Sequence, residues 1–131
     1  MRLLCCEQLL LLCLGDVLVE NDAEAIAAIR VWLSFLPANW EFPAPVAPAL
    51  DPRPGRTLEE IVPLREAEVF DMEEFVESLV DESSWFPYKE LFAPEMLTGF
   101  ARIGGRPVGL VGNQPKHMGG SIFPDSSDKA A

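Results

Sequence analysis

Proline spacing constrains this chain more than any other feature of its sequence. Seven of its twelve prolines lie between Pro37 and Pro63. No regular element can run uninterrupted through them, because proline lacks a backbone N–H and fixes φ. With 131 residues and 49% hydrophobic content, the chain has room for one ordinary domain with a core. That core must therefore come from short pieces on either side of the proline-rich segment.

A first helix is predicted before the proline-rich segment. Asn21 or Asp22 is expected to cap it, and Pro37 ends it. Apolar residues at three- and four-residue spacings are expected to share one face: Ile26, Ile29, Trp32, Leu33 and Leu36. From Pro37 to Thr57 the prolines are too frequent for a helix and too irregular for a central strand. They predict an extended connector with polyproline character, which is also the signal of a domain boundary.

Two further helices are predicted after the connector. Asp71 and Glu74 form a capping-box pattern at the start of the first, which is expected to end near Val80. Its apolar stripe consists of Met72, Phe75, Val76 and Leu79. At the end of the chain, Asp125 or Ser126 is expected to cap a helix that begins with the sequence SSDKAA, and the chain stops before that helix reaches a stable length.

The clearest local prediction is a β-hairpin. Two β-type runs, Gly99 to Ile103 and Val108 to Gly112, are separated by Gly104 and Gly105. Two glycines in this position are typical of a tight two-residue turn. The preceding sequence WFPYKELF predicts a short strand followed by a turn at Pro94.

The charge of the chain is strongly negative and local. The formal net charge is -11, which argues against nucleic-acid binding because phosphate contacts require clustered Lys and Arg. Between Glu59 and Glu82 there are ten carboxylates and a single basic residue, Arg65. This segment predicts a solvated acidic helix face, and docking to a basic partner is the alternative.

The N-terminal residues resemble a targeting signal only superficially. The leucine-rich run from Leu9 to Leu14 follows Glu7 and is much shorter than a membrane span of about 20 residues. Cys5, Cys6 and Cys13 have no Cys-His or spaced Cys-Cys pattern, so no metal site is expected and a reducing compartment suits them. We therefore expect no membrane association and interpret the signal-like character as spurious.

Four pieces of the sequence, in order, resemble one enzyme family. They are LSFLPANW at 33–40, DPRPGRTLEEIVP at 51–63, the stretch from Glu90 to Pro115, and SSDKAA at 126–131. Together they resemble the carboxyltransferase family that includes the propionyl-CoA carboxylase β subunit. The agreement covers most of the chain from Leu18 to Ala131. Residues from Met1 to about Asp16 do not resemble the family, which suggests a displaced start, a frameshift or a fusion scar.

The resemblance implies an α/β class, as an α+β fragment of two crotonase-like domains. Residues 1–17 would be a non-family segment and residues 18–37 the last helix of the N-terminal carboxyltransferase domain. Residues 38–66, called the connector below, would be the proline-rich linker between the domains. Residues 67–131 would be the truncated start of the C-terminal domain, beginning with the hairpin.

The same resemblance implies an activity and its partners. The family moves a carboxyl group from carboxybiotin to the α-carbon of an acyl-CoA, with propionyl-CoA as the default acceptor, at a site between subunits. Biotin would be carried by a biotinylated partner subunit rather than by this chain, which would form a homo-oligomer. The location would be cytoplasmic, or the mitochondrial matrix in a eukaryote. A methylmalonyl-CoA decarboxylase or transcarboxylase-type relative, or a small acidic binding or regulatory module without catalysis, is the alternative.

Backbone N–H groups stabilise the enolate and ureido oxygens in such a reaction. In the family the glycine-rich helix starts that supply them lie upstream of Leu18 and downstream of Ala131, so this chain is expected to be inactive alone, and no catalytic residue is assigned. Gly119 and Gly120 are the candidate substrate-binding residues, through their backbone only, because this loop often approaches a ligand in crotonase-like folds; a simple turn is the alternative. His117 is expected to be a solvent-facing loop residue.

Overall fold

The computed structural model describes residues 15–65 and 68–131. The predictions about Glu7, the leucine run and the three cysteines fall outside these residues. The described helices are α1 (Asp22–Leu33), α2 (Leu58–Ile61), α3 (Met72–Glu77) and α4 (Pro124–Ala130). The strands are β1 (Phe86–Pro87), β2 (Met96–Ile103) and β3 (Arg106–Asn113), followed by a 3₁₀ turn, Met118–Gly120. None of the described helices is long and apolar enough to cross a membrane.

The strands form an antiparallel sheet in the order β1-β2-β3. β2 and β3 pair over their whole length, from Ile103 opposite Arg106 to Met96 opposite Asn113. Gly104 and Gly105, which join them, have φ values of 58° and 77°. A turn that needs two consecutive left-handed residues selects glycine, since other residues are strained there. The architecture is α+β, the class expected from the sequence.

The two faces of the sheet are covered by different parts of the chain. On one face, Ala101 packs with Val76 and Val80 in the buried core, and Trp85 and several strand residues surround them. Phe100 points to the opposite face, because side chains alternate along a strand. There its ring stacks on Phe35, with centroids 5.9 Å apart. The hairpin therefore lies between α3 and the segment that follows α1.

Helix α1 begins as the sequence predicts but leaves its apolar face uncovered. The side chain of its N-cap, Asn21, accepts a hydrogen bond from the backbone N–H of Glu24 at 3.0 Å. Among the predicted apolar stripe, Ile26, Ile29 and Leu33 are each more than half exposed. In the described residues this face therefore has the pattern of a core face without the core that would cover it.

The connector is folded against the hairpin rather than free in solvent. Its Ala47 N–H donates to the carbonyl of Gly105 at 2.9 Å, and Pro52 forms an isolated bridge with Asp81. It also contains one helical turn, α2, which the proline spacing does not suggest. The turn fits between Pro54 and Pro63, and the Glu60 carboxylate accepts the N–H of Thr57 at 2.8 Å. A threonine followed three residues later by a glutamate, as in Thr57 and Glu60, is the sequence signal for the start of α2.

The caps of α3 and α4 differ from the sequence predictions. Asp71 does cap α3, but it accepts the N–H of Glu73 at 3.0 Å, and the helix ends at Glu77 before a short turn. The N-cap of α4 is Phe123 rather than Asp125 or Ser126. Pro124 occupies the first helical position, where its missing N–H costs nothing. Ser126 is therefore inside the helix, fully buried, and its hydroxyl accepts the N–H of Phe123 at 2.7 Å.

Candidate functional site

The loop that follows β3 is joined to the start of α3 by a network of side-chain hydrogen bonds. Gln114 is 7% exposed and contacts this helix with both ends of its amide. Its oxygen accepts the N–H of Met72 at 3.0 Å, and its nitrogen donates to Asp71 at 2.8 Å. The second carboxylate oxygen of Asp71 accepts from Lys116 at 2.5 Å. Gln114 thus satisfies the N–H of Met72, in the first turn of α3, from 42 positions along the chain.

The shifted pKa values of Asp71 and Lys116 keep both groups charged at neutral pH, which does not suit them to proton transfer. Partial burial works to raise the pKa of Asp71, but the hydrogen bonds from Lys116 and Gln114 outweigh it and hold the pKa below its ordinary value. The hydrogen bond to Asp71 in turn raises the pKa of Lys116. Both groups are charged at neutral pH, so their role is to hold the loop in place.

Gly119 and Gly120, the predicted substrate-binding residues, lie in the next turn of this loop. Gly119 is exposed, with φ of 66° and open space where a Cβ would be. Gly120 is buried with φ of 69°, and its N–H donates to the carbonyl of His117 at 2.8 Å. Its own carbonyl accepts the Asn113 side chain at 2.5 Å. Gly120 is therefore engaged on both sides of its backbone, and substrate binding by this pair stays a prediction.

His117 is exposed, in the wall of a small cleft of about 110 Å³. Glu73, Glu90 and Lys129 line the same cleft. Partial burial raises the pKa of Glu90, and the Glu73 carboxylate raises it further, whereas Lys129 works in the opposite direction. Lys129 is 8% exposed and donates to the carbonyl of Ala93 at 3.2 Å. The cleft brings mixed charges together, which sequence spacing alone does not indicate.

Asp81 is a buried carboxylate that the sequence does not reveal. The acidic segment predicts a solvated face, yet Asp81 is only 4% exposed. It accepts the N–H groups of Gly104 at 2.7 Å and Gly105 at 2.6 Å. Burial works to raise its pKa, but these two donors, with the Leu50 N–H and the positive charge of Arg102, together outweigh it, and the pKa lies below its ordinary value. The carboxylate therefore supports the hairpin turn in its charged form.

An apolar groove of about 500 Å³ separates α1 from the outer strand of the sheet. Its walls are mostly apolar or aromatic and are formed by Asp16, Val17, Val19, Ala25, Ala28, Ile29, Trp32, Phe86, Tyr88 and Phe100. Lys89 closes one side by donating its N–H to the carbonyl of Asp16 at 2.8 Å. Within residues 15–65 and 68–131, no cluster of three or more His, Cys, Asp or Glu side chains is arranged to hold a metal.

Two comparisons of sequence place this arrangement in a known family. The carboxyl transferase domain model matches residues 14–131. An uncharacterized carboxylase, YngE, of Bacillus subtilis is 49% identical over 118 residues, which are 89% of this chain and 23% of that protein. The mitochondrial propionyl-CoA carboxylase beta chain of Homo sapiens is 40% identical over 114 residues, or 86% of this chain and 21% of its own length. The chain thus spans less than a quarter of these relatives.

Solved structures agree with the sequence matches. A transcarboxylase 12S hexamer, with methylmalonyl-coenzyme A and methylmalonic acid bound, superposes with a TM-score of 0.87 at 32% identity. The match covers 95% of this chain and 24% of that one. A single-chain, multi-domain long-chain acyl-CoA carboxylase gives a TM-score of 0.73 at 25% identity, covering 89% and 11% of the two chains. The family predicted from the four sequence pieces is confirmed: this chain belongs to the carboxyl transferase domain family.

Proposed function

We propose that this chain forms part of the carboxyltransferase subunit of a biotin-dependent acyl-CoA carboxylase. The reaction moves a carboxyl group from carboxybiotin to the α-carbon of an acyl-CoA, and propionyl-CoA is the default acceptor. The observation that carries the proposal is the carboxyl transferase match over residues 14–131. The propionyl-CoA carboxylase beta chain at 40% identity supports the choice of acceptor.

The isolated chain does not turn over acyl-CoA in this proposal. Oxyanion stabilisation needs backbone N–H groups that are aimed at the reacting oxygen and are not already used. Three glycine N–H groups already have acceptors within the chain: those of Gly104 and Gly105 donate to Asp81, and that of Gly120 donates to His117. Gly119 is the remaining member of the predicted pair, so a contact with substrate would fall chiefly on its backbone.

Partner binding follows from the apolar surface that the described residues leave uncovered. Ile26 and Ile29 of α1 are 52% and 55% exposed, and Trp40 just beyond it is 89% exposed. Large apolar side chains that are exposed together in this way are typical of an interface. It supports packing of this chain against further carboxyltransferase protein. The family membership, and not this surface, supports a biotinylated partner subunit and a location in the cytoplasm or the mitochondrial matrix.

A transcarboxylase-type reaction is the second candidate. It is favoured by the TM-score of 0.87 to the transcarboxylase 12S structure. The two candidates share the acyl-CoA half of the chemistry and differ in the molecule from which carboxybiotin receives its carboxyl group. Comparing bicarbonate with ATP against a carboxylated organic donor therefore separates them.

A chimera provides the direct test of the proposal. The segment matched by residues 15–131 is exchanged into a full-length propionyl-CoA carboxylase beta chain, and carboxylation of acetyl-, propionyl- and butyryl-CoA is measured with the biotinylated partner. We expect turnover by the chimera, highest with propionyl-CoA, and none by the isolated chain under the same conditions.

Two outcomes would contradict the proposal. A chimera that assembles normally but carboxylates none of the three acyl-CoAs would remove the assigned function. Turnover by the isolated chain would remove its assigned inactivity. A sharp two-state melt of the chain without any partner would instead favour the alternative of an independent acidic binding module.

A further inference from the structure

Arg102 contacts three separate parts of the chain with one guanidinium group. One nitrogen, Nη2, donates to the carbonyl of Ser34 at 2.7 Å, just after α1. The other, Nη1, donates to the carbonyl of Pro45 at 2.9 Å, in the connector, and to that of Gly105 at 3.0 Å, in the hairpin turn. The donors of arginine lie in a rigid planar fork, which suits several fixed acceptors at once.

An aromatic ring fixes the plane of the same guanidinium. The central carbon of the Arg102 guanidinium lies 5.1 Å from the centroid of the Phe35 ring, a cation–π distance. Phe35 is 5% exposed and is held by Phe86 and Phe100 of the sheet, with centroids 6.4 and 5.9 Å away. The ring that orients Arg102 is therefore itself packed on the sheet.

The connector makes further backbone contacts in the residues that follow Pro45. Ala47 donates its N–H to Gly105 at 2.9 Å, and Glu82 donates its N–H to the carbonyl of Asp51 at 3.2 Å. The approach at Gly105 is so close that a Cβ there would overlap the carbonyl of Ala47. Because Pro43, Pro45 and Pro48 lack an N–H and interrupt regular pairing here, a carbonyl such as that of Pro45 takes its donor from outside the segment, and Arg102 supplies it.

We propose that Arg102 is a latch that fastens residues 34–51 to the hairpin, so that the end of α1 is positioned by β2 rather than by the connector alone. Opening the latch frees the connector while the β2–β3 pairing persists, since Ala47 and Ser34 lie outside that ladder.

Amide hydrogen exchange of the full 131-residue chain tests the latch. The reporter is the N–H of Ala47, and the amides of the β2–β3 ladder are the internal reference. In Arg102→Met we expect exchange at Ala47 to accelerate by about tenfold or more, with ladder amides within about twofold of wild type, because local opening exposes only the connector. Arg106→Met, which removes an exposed arginine from the same hairpin, is the matched control and leaves Ala47 unchanged.

Arg102→Lys separates the geometry of the fork from its charge. Lysine keeps the positive charge but cannot serve carbonyls in two directions while stacking on Phe35, so an intermediate acceleration at Ala47 is expected. If the amides of the β2–β3 ladder also lose protection in Arg102→Met, Arg102→Lys decides the outcome. Unchanged protection of Ala47 in Arg102→Lys would then overturn the latch. An Ala47 amide that exchanges in wild type as fast as an exposed amide, or that responds equally to Arg106→Met, would overturn it as well.

Discussion

The carboxylate of Asp81 accepts the backbone N–H of Gly105 at 2.6 Å, although the two residues are 24 positions apart in the sequence. A left-handed turn presents its N–H groups to one side, and an anion placed there satisfies them together. Asp81 does so from the segment after α3, so the core helix and the hairpin turn are joined at this point. The relationship makes the glycine turn part of the tertiary structure as well as a local bend.

Replacing Asp81 by asparagine tests this contact. Asn keeps the shape but offers one acceptor oxygen and turns an N–H donor toward the glycine N–H groups, so one of them is left unsatisfied. We expect a lower urea midpoint for unfolding. Glu82→Gln, an exposed neutralisation at the next position, is the control and leaves the midpoint nearly unchanged. Equal midpoints for the two variants would mean that the Asp81 contact contributes no stability.

The same carboxylate predicts a pH dependence of stability. Because the pKa of Asp81 is lowered in the folded chain, the unfolded chain takes up its proton first as the pH falls. The stabilisation is therefore complete above the unfolded pKa of about 3.9 and is lost as the pH falls through the folded pKa. As the pH is lowered from neutral, the urea midpoint for unfolding should fall less steeply for Asp81→Asn than for wild type. Asp71, whose pKa is also lowered, contributes to both curves, so parallel curves would contradict the assignment to Asp81.

Alanine substitutions at the two turn glycines should differ sharply. Both positions have positive φ, so a Cβ costs about 1–2 kcal/mol at either one. At Gly104 nothing lies within 4 Å of the added atom, whereas at Gly105 it overlaps the carbonyl of Ala47. We expect Gly105→Ala to lower the free energy of unfolding well beyond Gly104→Ala and to release the connector. Equal decreases in the free energy of unfolding of the two variants, measured by urea titration, would show that the connector is not in close contact with the turn.

Gln114→Leu tests the network at the start of α3. The variant leaves the part-buried N–H of Met72 without its acceptor, a loss of about 1–3 kcal/mol for an unsatisfied buried group. Lys116→Gln, which removes only the more exposed ion pair with Asp71, is the comparison and should cost less, because water screens such pairs. The free energy of unfolding from urea titration measures both. A larger loss for Lys116→Gln would show that the ion pair, and not the amide, holds the helix start.

Local signals predicted the parts of this fold whose partners are near in sequence. Gly104 and Gly105 indicate the turn because the required φ values depend on these two residues alone. Asn21 indicates the start of α1 because its side-chain oxygen accepts the N–H of Glu24, only three residues away. The four family pieces identified the carboxyl transferase domain through their resemblance to the sequences of its members, and not through a physical argument about folding. The start of α4 could also have been predicted, because proline is common at the first helical position, which Pro124 occupies.

The long-range side-chain contacts were not predictable in the same way. Asp81, Gln114 and Arg102 act on residues 23 to 68 positions away, and nothing in their neighbouring sequence distinguishes them from exposed polar residues. Asp81 lies within an acidic run, where one buried carboxylate has the same appearance as its solvated neighbours. The periodicity of α1 predicted which residues share a face but not whether the described residues cover that face.

The prolines of the connector also act through the unfolded chain. Each restricts the conformations that the chain can adopt before folding, so less conformational entropy is lost when the connector is ordered. A glycine- or serine-rich segment of equal length would behave as a flexible tether and leave the distance between its ends variable. Here the stiff segment is held by a few contacts around Ala47 and Arg102. Its ordered path therefore fixes how the chain runs from the end of α1 to α3.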